Sequence, residues 1–328
     1  MLLERPGKRV TSNNSDGTGD DLSVPAAITD AGCERTLNED RYAVIESPSG
    51  LAWLVCDGMG GEEGGELAAQ LALDAIRRDL ENLPQRPPEE ALRNAILESN
   101  RVIVLRRQNP SFGRMGTTVV AALFSAPEVV IGHAGDSRAY LIRDGAIQQL
   151  TTDHTYVQAL VEKGEINQED AMTHPDAHIL TRCIGSEPGL QIEMQRYWVW
   201  PVAQGEAQDF LLLCTDGLYS QVSDAEVASA VSSSSPQRAC VSMVELVKER
   251  GGFDNITLAI IPLGGQLKEE PPAGYNQRQR RKPVVASSRQ GQGANVSRRI
   301  GRDIAIVALL GLLAAMLVAV LFLFILKG

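Results

Sequence analysis

Three short apolar runs in this chain each stop on an aspartate followed by a turn-forming residue. Leu51-Ala-Trp-Leu-Val-Cys56 runs into Asp57-Gly58, Val129-Val-Ile-Gly-His-Ala-Gly135 into Asp136-Ser137, and Phe210-Leu-Leu-Leu-Cys-Thr215 into Asp216-Gly217. Short apolar runs halted by a turn dipeptide have the form of interior sheet strands. Asp254-Asn255 adds a fourth acidic pair, and Glu39-Asp40 lies ahead of them all. A single Asp-Gly is most simply a hairpin turn. Hairpins, however, need no strongly apolar strand running straight into the acid, so the repetition carries the information.

Carboxylates gathered at strand ends in one pocket repel each other, and the usual relief is a pair of hard divalent cations held by oxygen. The chain has no Cys-x-x-Cys spacing, and of its four histidines only His174 and His178 stand four apart, in a polar stretch with Pro175 between them. Zinc is therefore poorly supported, whereas all-oxygen ligation suits magnesium or manganese. His133, inside an apolar run, is expected to be a satisfied core residue. Two such metals activate a water toward phosphorus and neutralise the charge that builds on the phosphoryl oxygens. The same centre equally serves nucleases and aminopeptidases, so the metal alone does not name a substrate.

The residues around the acids narrow the choice. Arg35-Thr-Leu-Asn-Glu-Asp40, Cys56-Asp-Gly-Met-Gly-Gly61, Met115-Gly-Thr-Thr118, Gly132-His-Ala-Gly-Asp-Ser-Arg138, Cys214-Thr-Asp-Gly-Leu218 and Phe253-Asp-Asn-Ile-Thr257 occur in this order. Together, from about Val24 to Pro262, they closely resemble the metal-dependent protein phosphatase family (PPM, protein phosphatase 2C-like), above all its bacterial serine/threonine phosphatases. The resemblance implies that Asp57 bridges two Mn2+ or Mg2+ ions. Asp216 and Asp254 would complete the first metal's carboxylates, and Glu39 with the Gly58 carbonyl would serve the second. Asp136, with Asp216, matches the place of a third, weaker metal. Asp40 would hold metal-bound water. Arg35 falls where the family binds phosphate, and a planar fork of donors suits a phosphoryl dianion. Arg35, Asp40 and Asp57 are then the catalytic set.

Two positions depart from the family pattern. Met59 stands where animal members carry a histidine acid, and it cannot donate a proton; bacterial relatives often share this. Glu34 replaces a small or apolar residue before the arginine, for which we have no account. The glycine-rich stretch Gly58–Gly65 lacks both Gly-x-Gly-x-x-Gly spacing and a Gly-Lys-Ser/Thr ending, and Glu62, Glu63 and Glu66 would repel phosphates. It is expected instead to let the backbone crowd the metals and then to start a helix near Glu66.

Along the chain, residues 1–22 form a polar tail expected to be disordered, without the apolar core of a signal peptide. Residues 23–265 have ample length for one catalytic domain. Leu67, Leu71, Ala75 and Leu80 mark one amphipathic helix; Leu92, Ala95, Ile96, Ser99 and Ile103 mark a second, introduced by Pro87-Pro88. Residues 117–125, 128–134, 138–143 and 146–151 are expected as consecutive strands. Helices on meandering strands predict an α+β fold, and the resemblance agrees: a four-layer α-β-β-α sandwich of two antiparallel sheets flanked by helices. A polar helix-and-loop stretch at residues 156–185 occupies the place of the family's flap, and His174 and His178 gain no catalytic role from it.

Charge divides the chain. Residues 1–267 hold 21 Lys and Arg against 38 Asp and Glu, while residues 268–302 hold 9 against 2. An acidic domain argues against a nucleic-acid partner, because steering would be repulsive. Residues 266–302 are expected to be a flexible basic linker. Beyond it, Ile304 to Leu326 is an unbroken apolar run of 23 residues, long enough to cross a bilayer, giving a transmembrane helix at 303–327. Arg298, Arg299 and Arg302 before it predict a single-pass protein whose catalytic domain faces the cytoplasm. Five unpatterned cysteines fit a reducing compartment. Gly311, Ala315 and Ala319 form a small-residue stripe through which two such helices would weakly self-associate.

These expectations combine into a membrane-tethered phosphatase acting on phosphoserine and phosphothreonine proteins by direct attack of a water bridging two metals. A membrane serine/threonine kinase is the natural partner by analogy. The competing expectation is a pseudophosphatase serving as a membrane-anchored phosphoprotein-binding module; it is weakened because the metal acids are all present.

Overall fold

The computed structural model of the protein describes residues 21–60, 64–203, 208–272 and 275. Its contacts divide the chain into two units, Met1–Gly274 and Tyr275–Gly328, and the described strands and helices all belong to the first. The strands are β1 (Ala26–Asp30), β2 (Arg41–Ser47), β3 (Gly50–Cys56), β4 (Gly58–Met59), β5 (Gly116–Thr117), β6 (Val119–Ser125), β7 (Glu128–Ala134), β8 (Arg138–Arg143), β9 (Ala146–Gln149), β10 (Glu193–Pro201), β11 (Phe210–Cys214), β12 (Ile256–Pro262) and β13 (Gly265–Lys268). The helices are α1 (Gly64–Asn82), α2 (Pro88–Arg106), α3 (Tyr156–Glu162), α4 (Gln168–Met172), α5 (Asp216–Tyr219), α6 (Asp224–Ser233) and α7 (Pro236–Glu249).

Two antiparallel sheets carry the domain, in the orders β1-β12-β11-β8-β9 and β13-β10-β7-β6-β3-β2, with a small β4-β5 ribbon beside them. The apolar runs explain the layering, because successive strand residues face opposite ways. Trp53, Val55, Val120, Ala122, Leu211 and Leu213 meet between the sheets. Their neighbours Leu54, Cys56, Ala121 and Leu123 pack instead under α1 and α2. Leu212 and Cys214 pack under α6 and α7 on the far side. Both faces of these strands are buried, so the strands are apolar throughout rather than alternating. The mixed α+β fold with helices on both outer faces is as expected.

The four strands expected in succession are present as β6 to β9, with β6 and β7 paired in the larger sheet and β8 and β9 in the smaller, and two other details differ. The chain changes sheets at Gly135-Asp136-Ser137, where Gly135 has a φ of 115°. The α1 face is led by Ala68, Ala69, Ala72, Ala75 and Ile76, with Leu67 and Leu71 at its margin. Residues 266–268, expected in the linker, pair with β10 as part of β13. Among the described residues no helix is long and apolar enough to cross a membrane. The apolar run 304–326, the polar tail through residue 20 and most of the linker lie outside the described residues.

Candidate metal centre

The antiparallel order brings the C-terminal ends of β3, β7 and β11 and the N-terminal ends of β2 and β12 to one edge of the sandwich. Asp57, Asp136, Asp216, Asp254 and Glu39 therefore meet there, although they come from both sheets. They line a cavity of about 730 Å³, with Gly58 in its wall and Arg35 at its mouth. Every metal-binding residue expected from the sequence is present in this wall. Asp40 is the exception among the acids: it is 1% exposed, lies behind the wall and accepts the Thr215 hydroxyl at 2.8 Å.

Tight backbone contacts hold the acids close. Thr118 donates its amide to the Asp57 carbonyl at 2.8 Å, and its hydroxyl accepts the Asp57 amide at 2.9 Å. The Thr117 hydroxyl reaches the same carbonyl at 2.7 Å. This is the structural work of the Met115–Thr118 motif. Gly58 and Gly65 pass so closely that a Cβ on Gly58 would stand 2.1 Å from the Gly65 carbonyl oxygen, and one on Gly65 would stand 2.4 Å from Glu39 Oε1. The opening amides of α1, those of Gly65 and Glu66, hydrogen-bond the Glu39 carboxylate. The first turn of the helix thus holds Glu39 from behind.

The electrostatics are those of a cation site. Burial raises Asp57 well above the ordinary carboxylate range, reinforced by repulsion from Asp40, Asp216, Asp136 and Asp254. Burial likewise pushes Asp40 up to about 7 and Asp136 up to about 8. Asp216 is raised by burial and by Asp254, and Glu39 by burial. Asp216 Oδ1 is buried with no hydrogen-bond partner. An orphaned carboxylate oxygen inside a crowd of carboxylates is costly unless a cation answers it. The oxygen-only donor set fits Mg2+ or Mn2+.

Arg35 is half-exposed; its Nη2 donates to Asp254 Oδ2 at 2.9 Å and its Nε to the Phe253 carbonyl at 3.4 Å. The flap contributes His178, Leu180 and Cys183 to the opposite wall. Met59 lines the cavity too, so the position after Asp-Gly brings an apolar side chain to the site. His133 is a satisfied core residue, its Nε2 2.9 Å from the Thr152 carbonyl.

Several supporting residues, Asn255 and Arg138 within the ordered motifs among them, have no role assigned from the sequence. Asn255 accepts the Glu39 amide on Oδ1 at 2.8 Å and donates Nδ2 to the carbonyls of Ala31 and Leu37, at 3.1 and 3.0 Å. It thereby fastens the Arg35–Asp40 loop to the start of β12. Arg138 grips Asp153 with three bonds of 2.6 to 3.0 Å and stacks on Tyr219 at 3.6 Å; Tyr219 in turn donates to the Asp136 carbonyl at 3.1 Å. Membership of a motif pointed to Asn255 and Arg138, and position near an acid is all that could have pointed to Asp153 and Tyr219.

A two-sheet sandwich with a carboxylate-lined cavity at one end and an arginine at its mouth has the donor set of a cation site open to an anionic substrate. The Protein phosphatase 2C family profile matches residues 33–248. The serine/threonine phosphatase stp of Listeria welshimeri is 37% identical over 241 residues, covering 71% of this chain and 93% of its own. PstP, a serine/threonine protein phosphatase of Mycobacterium tuberculosis, is 35% identical over 237 residues, covering 72% of this chain and 44% of its own. A crystal structure of the PstP catalytic domain with two manganese ions superposes with a TM-score of 0.61 at 32% identity, covering 72% of this chain and 96% of that one. The chain belongs to the protein phosphatase 2C family and is a protein phosphatase.

Proposed function

We propose that the chain is a membrane-tethered serine/threonine protein phosphatase, dependent on two Mn2+ or Mg2+ ions with a third held more weakly, that hydrolyses phosphoserine and phosphothreonine without a covalent phospho-enzyme. The observation that carries the metal dependence is the buried, unpartnered Asp216 Oδ1 among carboxylates that burial has pushed upward. Asp57, Asp216 and Asp254 would hold one ion, and Asp57, Glu39 and the Gly58 carbonyl the other, with Asp136 at the third. When bound, the ions acidify a water and neutralise the charge growing on the phosphoryl oxygens.

The chain's own groups do the rest. Arg35, tethered at its base by the Phe253 carbonyl, swings its fork from Asp254 onto the phosphoryl oxygens and orients phosphorus over the acids. Asp40, behind the wall, orients water through one carboxylate oxygen while Thr215 fixes the other. Met59 holds no transferable proton, so the departing serine or threonine oxygen takes its proton from water in the cavity. Cys183, in the cavity wall, offers no alternative nucleophile because burial raises its thiol, and burial with Asp40 and Asp57 raises Cys56 likewise.

Tethering rests on the sequence run 304–326 and its preceding arginines, which put the catalytic domain on the cytoplasmic face. Substrates are then phosphoproteins at or near the bilayer, a membrane serine/threonine kinase among them. The test is phosphate release from a phosphothreonine peptide by the full chain, with manganese and with excess chelator. Release with manganese and none with chelator is expected; equal rates would refute the metal mechanism.

A further inference from the structure

His154 stands between β9 and α3, next to the Thr155 cap of the flap's first helix, and is 5% exposed. Its backbone amide donates to the Gly135 carbonyl at 3.0 Å, and the Gly135 amide returns a bond to His154 Nδ1 at 3.2 Å. The strand pairing of β7 has ended at Ala134, so the sheet supplies no partner for the buried Gly135 amide. Gly135 is also pressed against Thr118: a Cβ there would stand 2.6 Å from the Thr118 side chain. Thr118 is the residue whose hydroxyl accepts the Asp57 amide. On its other side His154 accepts the Thr181 amide on its carbonyl at 2.8 Å, and its Nε2 lies 3.2 Å from Arg182 Nη1. Thr181 and Arg182 fall between Leu180 and Cys183, the flap residues that line the cavity.

Among the described residues, His133, His154 and Glu193 also form a group whose ligand atoms lie within 4.8 Å of one another. The hydrogen bonds argue against a cation there. With Nδ1 accepting from Gly135, a neutral His154 ring carries its proton on Nε2, the atom a metal would need, and a guanidinium already stands beside it. His133 stacks on the ring at 4.6 Å, and burial, with His133 and Arg182 adding to it, lowers His154 to about 4, so the ring is neutral. Glu193 Oε2 lies 3.4 Å from Nε2 and receives the proton-bearing edge.

We propose that His154 is a positioning residue that couples the flap to the acidic end of the sandwich: its Nδ1 and amide fix the Gly135 turn that presents Asp136, while its carbonyl fixes the flap's return at Thr181. The two walls of the cavity then keep their spacing through one residue. The functional half of this inference rests on the cavity being the site of phosphoester hydrolysis; the coupling half does not.

The test compares the full chain carrying His154→Leu, which keeps bulk and loses the acceptor, with His154→Asn, whose Oδ1 takes the place of Nδ1. Three quantities are read: exchange of the Gly135 amide by NMR, tryptic cleavage after Arg182, and kcat and KM for a phosphothreonine peptide with manganese. In His154→Leu, Gly135 exchange and cleavage after Arg182 rise on the order of tenfold, and kcat falls about tenfold or more with KM little changed. His154→Asn restores Gly135 protection, most of kcat and the resistance of Arg182 to cleavage, because the tie to the flap is the backbone carbonyl. Equal impairment in both variants would overturn the proposal, since the ring would then only fill space; so would wild-type Gly135 exchange in His154→Leu. If His154→Leu does not fold, His154→Asn decides alone: a protected Gly135 amide supports the clamp, and an unprotected one overturns it. An exchange pattern as expected, with no turnover even in the wild-type chain, would overturn the phosphatase reading and leave the clamp standing.

Discussion

One wall of the cavity hangs on the strand ends of two sheets, and the facing wall is the flap, residues 156–185, anchored by a handful of backbone bonds. On the first side, Asp57 and Asp216 emerge from β3 and β11, whose residues are buried on both faces. Their backbones are pinned by Thr117, Thr118 and the Thr215–Thr257 bonds. On the second, the flap is tied at its ends: Tyr156 to Ile179, Thr181 to His154, and Ile184 to Thr117 in both directions. Between those ties Ile179 is 52% exposed. The contrast locates each property of the enzyme. Groups that must repel one another yet stay within reach of a shared cation need strands that cannot move. Groups that meet a substrate need a segment that costs little to displace.

The largest effect should come from the rigid wall. Asp57→Asn is expected to reduce kcat about 10³-fold or more, measured as phosphate release with saturating manganese. In the metal-free protein it should do the opposite to stability, because a neutral amide removes the repulsion that raises Asp57. A higher Tm together with lost activity is the expected pair; a lower metal-free Tm would show that the acids are not in conflict. Arg35→Ala should lower kcat/KM about 10²-fold, and Arg35→Lys should recover little because a point charge lacks the planar fork. A loss confined to KM would place Arg35 in substrate capture alone.

Asn255→Ala should cost about 1–3 kcal/mol by leaving the Glu39 amide and two carbonyls without partners; urea unfolding checks it. The pH dependence follows from Asp40 and Asp136, raised from 3.8 to about 7 and about 8. A carboxyl whose folded pKa is raised binds more protons folded than unfolded. Its contribution is complete below about 4 and is lost as pH rises through about 7 to 8. The metal-free Tm should therefore fall between pH 5 and pH 8, in the sense of those two shifts, and manganese should raise it more at the upper end. The smallest effect belongs to the flap: His178→Ala removes a group facing Asp216 and should alter kcat by less than about fivefold. A loss as large as that of Asp57→Asn would mean that the flap takes part in the chemistry.

The rigid wall was legible in the sequence for the same reason that it is rigid. Asp57, Asp136 and Asp216 each end an apolar run, and a run that must be buried on both faces can end only where the sheet ends. The supports Thr118, Thr215 and Asn255 stand inside the quoted motifs, but the bonds they make were not legible, because a bond between groups far apart in sequence leaves no local pattern. Asn255 and Glu39 are 216 residues apart, and Thr215 and Asp40 are 175 apart. His154 sits in a short polar segment whose meaning depends on Gly135, in the turn after β7. The α1 face differs from the expected Leu67 and Leu71 stripe because the close approach of Gly58, Gly65 and Glu39 brings the helix down onto β2. Ala68, Ala69 and Ala72 fit that gap where leucines would not. The change of sheets at Asp136 was hidden because a turn signal marks a bend without saying which sheet the chain joins next.

Strand ends from both sheets bring the acids together around Asp57, and the proposed mechanism depends on their holding cations there. Its sharpest test is isothermal titration of manganese into the metal-free full chain, run beside Asp57→Asn with folding confirmed by circular dichroism. Binding of at least two ions per chain, with the loss of both tight sites in the folded variant, is the expected result. Two tight sites persisting without the Asp57 carboxylate, or no measurable binding to the wild-type chain, would contradict it.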